Sequence, residues 1–141
     1  MRFKIHLQIF EMQPENYHLI VEGKFKDGTT INWIIDTGAS KSVFDRNLSQ
    51  RYYQLDEKTE EIHSAGIGEN LLETSLGQLE TFFLGKMKIE TPKMAILDLS
   101  HVNELYAKFS GLKIGGLIGS DFLMKYQAKI DYKRKVLKLT K

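Results

Sequence analysis

Polar and apolar residues alternate along much of the chain, and a period of two is typical of a half-buried β-strand. This pattern predicts strands over residues 2–12, 17–26 and 30–35, with a hairpin turn at Asp27-Gly28 between the last two. Further strands are expected near residues 82–90, 93–99, 127–131 and 135–140. The pattern therefore predicts an all-β domain.

Two short segments have a helical pattern instead. A helix is predicted over residues 101–109, with Ser100 as its N-terminal cap, and a shorter helix near residues 120–126. Asp45 is interpreted as the cap of a further short helix. The first helix has apolar side chains spaced i, i+3, i+4 and i+7: Val102, Leu105, Tyr106 and Phe109.

The length and charge of the chain limit the domain count and the kinds of partner. Its 141 residues, 42% of them hydrophobic, suit a single domain over residues 1–141 with a real core. A net charge of +2 indicates no general affinity for nucleic acid or membranes. Residues 125–141 do carry seven basic side chains and one acidic one, but they alternate with apolar residues, which favours a solvated strand face.

Several kinds of chemistry are excluded or disfavoured by composition. The absence of cysteine excludes disulfides, thiolate metal sites and a cysteine nucleophile, and fits a reducing compartment. The four histidines lie far apart in sequence, so we expect no metal site and no cofactor. The N-terminus has strand alternation where a signal peptide has an apolar block, and no apolar run reaches bilayer length. We therefore expect a cytoplasmic protein with no membrane partner.

The strongest candidate for chemistry is the segment that follows the strand over residues 30–35. Asp36 ends this apolar strand, and an ionised carboxylate there is costly unless it is hydrogen-bonded or shares a proton. Gly38 allows a backbone or a ligand to approach closely. Asp, Thr and Gly are also ordinary turn residues, so the tripeptide alone is only suggestive. The residues after the aspartate are hydroxylic or small: Thr37, Gly38, Ala39 and Ser40.

Two later segments give this motif a context. A predicted hairpin over residues 61–85 contains the glycine-rich turn Ala65, Gly66, Ile67 and Gly68. A predicted turn at Gly115-Gly116 leads into the apolar motif Leu117, Ile118 and Gly119, which opens the second predicted helix.

In these three motifs and their order, the sequence resembles the retropepsin-like aspartic proteases, in particular their small bacterial members. The resemblance implies a closed retropepsin-like β-barrel with a flap hairpin and one or two short helices. It implies that Asp36 is catalytic, that Thr37 to Ser40 support the catalytic loop, and that residues 65–68 form the flap over a peptide or protein substrate. The motif at residues 117–119 would be the second loop of the site.

The resemblance also implies a homodimer. Aspartic proteolysis uses two carboxylates about 3 Å apart that share one proton, whereas this chain has one Asp-Thr-Gly. Asp36 from each subunit would meet on a twofold axis. Ala39 stands where two-lobed relatives carry a hydroxyl that bonds the carboxylate, which predicts a mildly acidic to near-neutral pH optimum. Asp121 is expected to be a helix cap or dipole partner and not a catalytic residue.

Two alternatives stay open at the sequence level. The chain is either a peptidase or a non-catalytic retropepsin-like module that binds peptides or dimerises. A nucleic-acid-binding β domain is the third hypothesis and depends only on the basic C-terminal end, so we expect no nucleic-acid partner.

Overall fold

The computed structural model describes residues 1–59 and 74–141, and within them the chain is mostly β-strand. The predicted flap turn, Ala65, Gly66, Ile67 and Gly68, lies outside the described residues. The strands are β1 (Arg2–His6), β2 (Gln8–Gln13), β3 (Asn16–Phe25), β4 (Thr30–Ile35), β5 (Val43–Asp45), β6 (Tyr52–Thr59), β7 (Thr74–Leu79), β8 (Phe82–Leu84), β9 (Met87–Ile89), β10 (Lys93–Leu97), β11 (Ile114–Ile118), β12 (Lys129–Asp131) and β13 (Val136–Thr140). The helices are α1 (Ser100–Phe109), α2 (Ser120–Lys125) and a 3₁₀ turn (Ser49–Arg51).

The all-β prediction is confirmed by one curled ten-stranded sheet and a smaller three-stranded one. The large sheet has the order β6-β7-β10-β5-β11-β4-β3-β8-β9, with β2 paired to β3. Most pairs are antiparallel, but β4 with β11 and β5 with β10 are parallel. Parallel pairing places the carboxyl ends of β4 and β11 side by side, and this determines the position of the site described below.

The predicted strand over residues 2–12 is wrong in one respect, because it divides at Leu7 between the two sheets. β1 pairs with β13 in the small sheet, whereas β2 pairs with β3 in the large one. Leu7 itself is fully buried, and its amide donates to the carbonyl of Lys135 (2.8 Å). The chain therefore passes from one sheet to the other at Leu7, and the amide of this residue stays hydrogen-bonded although Leu7 belongs to neither strand.

The predicted hairpin at Asp27-Gly28 is confirmed, although its loop is one residue longer than the sequence indicates. Phe25 pairs with Thr29 through an amide-to-carbonyl bond of 2.8 Å, which leaves a three-residue loop. Gly28 has φ of +90°, and the Asp27 carboxylate accepts a bond from the Thr29 amide. Glycine supplies the left-handed conformation that three-residue hairpin loops need. A similar turn at Gly85 (φ +57°) divides the strand predicted over residues 82–90 into β8 and β9.

Trp33 lies at the centre of the larger core cluster and explains why the turn predicted at Gly115-Gly116 is wrong. The Trp33 ring is fully buried and stacks on Phe82, with ring centroids 4.9 Å apart. A Cβ at Gly116 would lie 2.3 Å from that ring. Both glycines belong to the buried strand β11: Gly116 gives the close approach that the tryptophan requires, and Gly115 packs against Ile31.

The helix α1 covers a second core cluster on the other side of the sheet, and its predicted extent is confirmed. Two residues of the predicted apolar stripe, Val102 and Tyr106, are buried, whereas Leu105 and Phe109 are each 47% exposed. The predicted cap is wrong by one residue. Ser100 is the first residue of the helix, and Leu99 is at the N-cap position, where no side chain makes a capping hydrogen bond. The amide and hydroxyl of Ser100 instead donate to the carboxylate of Asp98 (3.0 and 2.6 Å).

Asp45 does not cap a helix as the sequence pattern suggested. It is the last residue of β5, is 2% exposed, and accepts bonds from the Asn47 amide and from the Leu99 amide (3.1 and 3.2 Å). The carboxylate thus joins the end of β5 to the residue that precedes α1. The short helix near residues 120–126 is confirmed as α2.

Candidate active site

Asp36 follows the last residue of β4, at the point where this strand and β11 end together. The register pairs Ile35 with Ile118, and the Asp36 amide donates to the Ile118 carbonyl (2.9 Å). The two motifs singled out in the sequence, residues 36–40 and 117–119, are therefore neighbours in the fold. Leu117 and Ile118 are buried in β11, and Gly119 is the buried residue that precedes α2.

The loop after Asp36 folds back on its carboxylate. The Gly38 amide donates to Asp36 Oδ1 (3.1 Å), and the Ala39 amide donates to the Asp36 carbonyl (3.1 Å). Asp36 is half-buried and Ala39 fully buried, whereas Thr37 and Ser40 are exposed.

The second motif fixes this loop from behind. The Ser120 amide donates to the Ala39 carbonyl (2.8 Å). A Cβ at Gly119 would lie 2.7 Å from the Ala39 carbonyl oxygen and 2.8 Å from that of Lys41. Glycine is therefore required at 119, because any side chain would push the aspartate loop away from α2.

Ser42 and Asp121 complete this attachment, and sequence reasoning missed Ser42. The Asp121 carboxylate accepts bonds from the Ser42 amide and hydroxyl (3.0 and 2.8 Å) and from the Phe122 amide (2.8 Å). The Ser42 hydroxyl in turn accepts a bond from the Gly119 amide (3.0 Å). Asp121 was expected to serve the start of the helix, and its bond to Phe122 fits that expectation. A serine five residues beyond Thr37 carries no sequence signal that would mark this role.

A cleft of about 520 Å³ lies beside Asp36 and extends along one side of α1. Its lining is mostly apolar and aromatic, with a few polar side chains, as in many ligand-binding clefts. The side chains come from β3, β4 and the loop after it, α1, β11 and the region around β12: Tyr17, His18, Leu19, Ile34, Ile35, Asp36, Thr37, His101, Val102, Leu105, Tyr106, Leu117, Ile130 and Tyr132.

His18 and Tyr106 are the polar pair within this cleft, and neither was singled out as functional from the sequence. His18 Nδ1 and Tyr106 Oη lie 2.7 Å apart, and the two rings meet edge to face. Burial, and after it the negative charge of Asp36, raises the pKa of Tyr106 to about 12. Burial lowers the pKa of His18 from its ordinary value. The helical spacing did place Tyr106 on the buried face of α1, but the partner on β3 has no signal in sequence.

The described residues contain neither a cluster of metal ligands nor a membrane-spanning helix. Within residues 1–59 and 74–141 no three histidine, aspartate or glutamate side chains are grouped closely enough to hold a metal ion. In the same part of the chain, neither α-helix has the length and apolar character needed to cross a bilayer.

Comparison with known proteins assigns the family. Residues 21–122 match the family model described as aspartyl protease, so the chain belongs to the aspartyl protease family. The matched region contains both motifs of the site and α1. This confirms the retropepsin-like family assignment that the sequence motifs indicated.

Individual relatives agree with this assignment. The chain is 33% identical over 119 residues to the "Retrovirus-related Pol polyprotein from transposon 412" of Drosophila melanogaster; the match covers 82% of the chain but 9% of that polyprotein. The fold is similar to the crystal structure of a retropepsin-like aspartic protease from Rickettsia conorii, with a TM-score of 0.53 and 16% identity over 99% of this chain and 90% of that one. The retroviral protease-like domain of Ddi1 from Leishmania major aligns with a TM-score of 0.46 and 14% identity, over 86% of each chain. The similarity to the Rickettsia conorii structure shows that the fold is retropepsin-like.

Proposed function

We propose that this protein is an aspartic endopeptidase that acts as a homodimer, with one Asp36 from each subunit. The observation that carries the proposal is the position of Asp36 in a member of the aspartyl protease family. The residue stands at the end of β4, half-buried, held by the Gly38 amide and open to a cleft of about 520 Å³.

The proposed chemistry needs two such carboxylates. At about 3 Å they cannot both be ionised, so the pair shares one proton. The ionised member takes a proton from the water held between them, and the protonated member donates to the oxygen of the scissile carbonyl. The water oxygen adds to the carbonyl carbon as it loses this proton, which gives a gem-diol. The carboxylic acid that took the proton from water then gives it to the amide nitrogen, the other carboxylate takes back a proton from a gem-diol hydroxyl, and the C–N bond breaks to release the amine. Thr37 and Gly38 would orient the loop, and Thr37, which is exposed, would bond across the axis.

The proposed substrate is an extended peptide that lies between the aspartate loop and the flap. Such a peptide adds as a strand, so that main-chain hydrogen bonds give affinity and side-chain pockets give selectivity. The cleft beside Asp36 would receive one of its side chains, and the apolar walls contributed by Ile35, Val102 and Leu105 favour an apolar one. Residues 65–68 would close over it. No metal is required, because the carboxylates themselves activate the water.

The test is the change Asp36→Asn. Asparagine keeps the shape of the side chain but neither shares the proton nor takes one from water, so we expect cleavage of an unstructured protein substrate to fall by at least about 10³-fold. The dimer should persist, since repulsion between two carboxylates is removed. Cleavage is followed by mass spectrometry and subunit mass by sedimentation equilibrium.

A matched control is Asp27→Asn, which changes an aspartate of the β3–β4 loop that pairs with Arg51. This variant should cleave like the unchanged protein. Unchanged cleavage by the Asp36 variant would refute the peptidase proposal. Binding of peptides without cleavage by the unchanged protein would instead favour the non-catalytic module.

A further inference from the structure

We propose that Tyr106 and His18 form a positioning pair for Asp36, in which the proton on His18 decides whether the tyrosine hydroxyl is available to the aspartate site. This inference rests on the proposed peptidase function and adds to it two residues outside the Asp-Thr-Gly motif. Its experiments separate failure of the pair from failure of the function.

The geometry allows one hydrogen between the two groups. His18 Nδ1 and Tyr106 Oη are 2.7 Å apart, and edge-to-face packing of the rings, with centroids 5.5 Å apart at 86°, fixes their orientation. Tyr106 is 2% exposed, so its hydroxyl does not exchange this partner for bulk water. A phenol hydroxyl both donates and accepts, whereas a neutral imidazole nitrogen does one or the other.

With His18 neutral and its ring hydrogen on Nε2, Nδ1 is an acceptor and Tyr106 donates its hydroxyl hydrogen to it. With His18 protonated, Nδ1 becomes a donor and the tyrosine oxygen must accept. The hydroxyl hydrogen is then free to turn into the cleft, which Tyr106 and Asp36 both line. A donor turned toward a carboxylate favours its ionised form.

The hydrogen bond between His18 and Tyr106 changes direction at acidic pH, where an aspartic peptidase must keep one carboxylate ionised. Burial lowers the pKa of His18 below its ordinary value of 6.5, so the histidine is neutral near pH 7 and gains its proton only in mildly acidic solution. The pair thus supplies a donor to the site once the solution is acidic enough to protonate His18. Other titratable groups around the pair are Asp36 after β4, His101 on α1, Tyr132 after β12, Tyr17 on β3, and Glu11 on β2, which bonds Tyr17.

The first experiment compares pH–rate profiles of Tyr106→Phe and His18→Asn with that of the unchanged protein. Phenylalanine keeps the ring but removes the hydroxyl, and asparagine keeps a polar side chain that gains no proton in acidic solution. Either change should move the acidic limb of kcat/KM to higher pH by about one unit, the size of one hydrogen bond to a charged group. The double variant should show no further shift. The near-neutral limb should move little, and thermal unfolding verifies that each variant is folded.

Matched controls come from the same residue types outside the cleft. Tyr53→Phe and His6→Asn change an 81% exposed tyrosine and an exposed histidine of β1, and neither should move the acidic limb. A purely structural role for the pair would lower activity evenly at all pH values. Acidic limbs that coincide for the unchanged protein and both cleft variants would therefore overturn the proposal.

A second readout does not depend on cleavage. Nitrogen-15 NMR of the histidine rings near pH 7.5 should show His18 with its hydrogen on Nε2, and this preference should be lost in Tyr106→Phe. A hydrogen on Nδ1 at that pH would refute the pair, whatever the activity. If the unchanged protein cleaves nothing, the proposed peptidase function is refuted without any consequence for the pair. The tautomer of His18 then tests whether the pair forms.

Discussion

Ser42 shows how a single buried hydroxyl links the two halves of the site. It donates to Asp121 and accepts from the Gly119 amide (2.8 and 3.0 Å), and it is 2% exposed. A buried N–H without an acceptor costs more than the hydrogen bond itself was worth, because water cannot replace the missing partner. The Ser42 hydroxyl thus helps to fix the aspartate loop relative to α2, together with the bond from the Ser120 amide to the Ala39 carbonyl.

We therefore expect Ser42→Ala to lower the free energy of unfolding by about 1–3 kcal/mol, since it leaves the Gly119 amide without an acceptor. The measurement is urea unfolding followed by tryptophan fluorescence, which reports on the buried Trp33. Ser40→Ala is the matched control, because Ser40 is in the same loop but exposed, and it should change stability by less than about 0.5 kcal/mol. Equal effects of the two changes would show that the buried bonds do not carry this stability.

At the scale of secondary structure, α1 matters because it forms one wall of the cleft. Asn103 attaches it to β11: its side chain donates to the Ile114 carbonyl and accepts from the Ile114 amide (3.0 and 2.6 Å). The Asn103 side chain thus bonds both the carbonyl and the amide of Ile114, as the backbone of a neighbouring strand would do at the start of β11. The helix is thereby fixed to the strand that leads into the second motif.

Replacing Asn103 with alanine should destabilise the protein by about 1–3 kcal/mol, because the buried Ile114 loses both backbone partners. Since α1 carries Tyr106, we also expect weaker binding of substrate peptides, seen as a higher KM. Thermal unfolding and peptide titration measure the two effects. Glu104→Ala changes the exposed neighbour and should leave both unchanged; a similar loss there would contradict the assigned role of Asn103.

The elements that sequence predicted well are those whose signals are local. The hairpin at Asp27-Gly28 and the helix α1 depend on turn chemistry and on helical spacing within a few residues. The Asp36 motif was found for the same reason, because its residues are consecutive. What the sequence did not predict depends on partners distant along the chain. Gly116 is extended and not a turn because Trp33 needs the space, and that contact joins β4 to β11.

The same reasoning explains what was missed in the site. His18 and Tyr106 are 88 residues apart, and their 2.7 Å contact follows from where β3 and α1 meet. Ser42 and Asp121 are 79 residues apart. Neither pair has a spacing that periodicity can detect, so only the three-dimensional arrangement shows them.

At the scale of the whole molecule, the small sheet holds the two ends of the described chain together. β1 and β13 pair along their length, and the amino group of Met1 donates to the Lys141 carbonyl (2.8 Å). The basic end was predicted as a solvated strand face, and the alternation is confirmed: Leu137 and Leu139 are buried, whereas Lys138 between them is not. Across the sheet Lys138 pairs with Lys4 and Lys129, so these like charges share one solvent-facing row.

The site as proposed belongs to two chains, which gives a prediction that no single-chain enzyme would meet. If each active site needs Asp36 from both subunits, one inactive subunit disables the whole dimer. Adding an equal amount of the Asp36→Asn protein to the unchanged protein, with time for subunits to exchange, should therefore leave about a quarter of the dimers fully active. Because the mixture then holds twice as many dimers as before, total cleavage by a constant amount of unchanged protein should fall to about half of its starting value.

Activity in the mixture is measured with the amount of unchanged protein held constant, against an equal addition of the Asp27→Asn protein as control. The control addition should raise the cleavage rate, since both partners are competent. A rate unaffected by the Asp36→Asn protein, while exchange of labelled subunits is complete, would mean that each chain works alone. The aspartate would then need another acid from its own chain, outside the single Asp-Thr-Gly. Inhibition by the inactive subunit is thus the measurement that most directly connects the single Asp-Thr-Gly of the sequence to a catalytic mechanism.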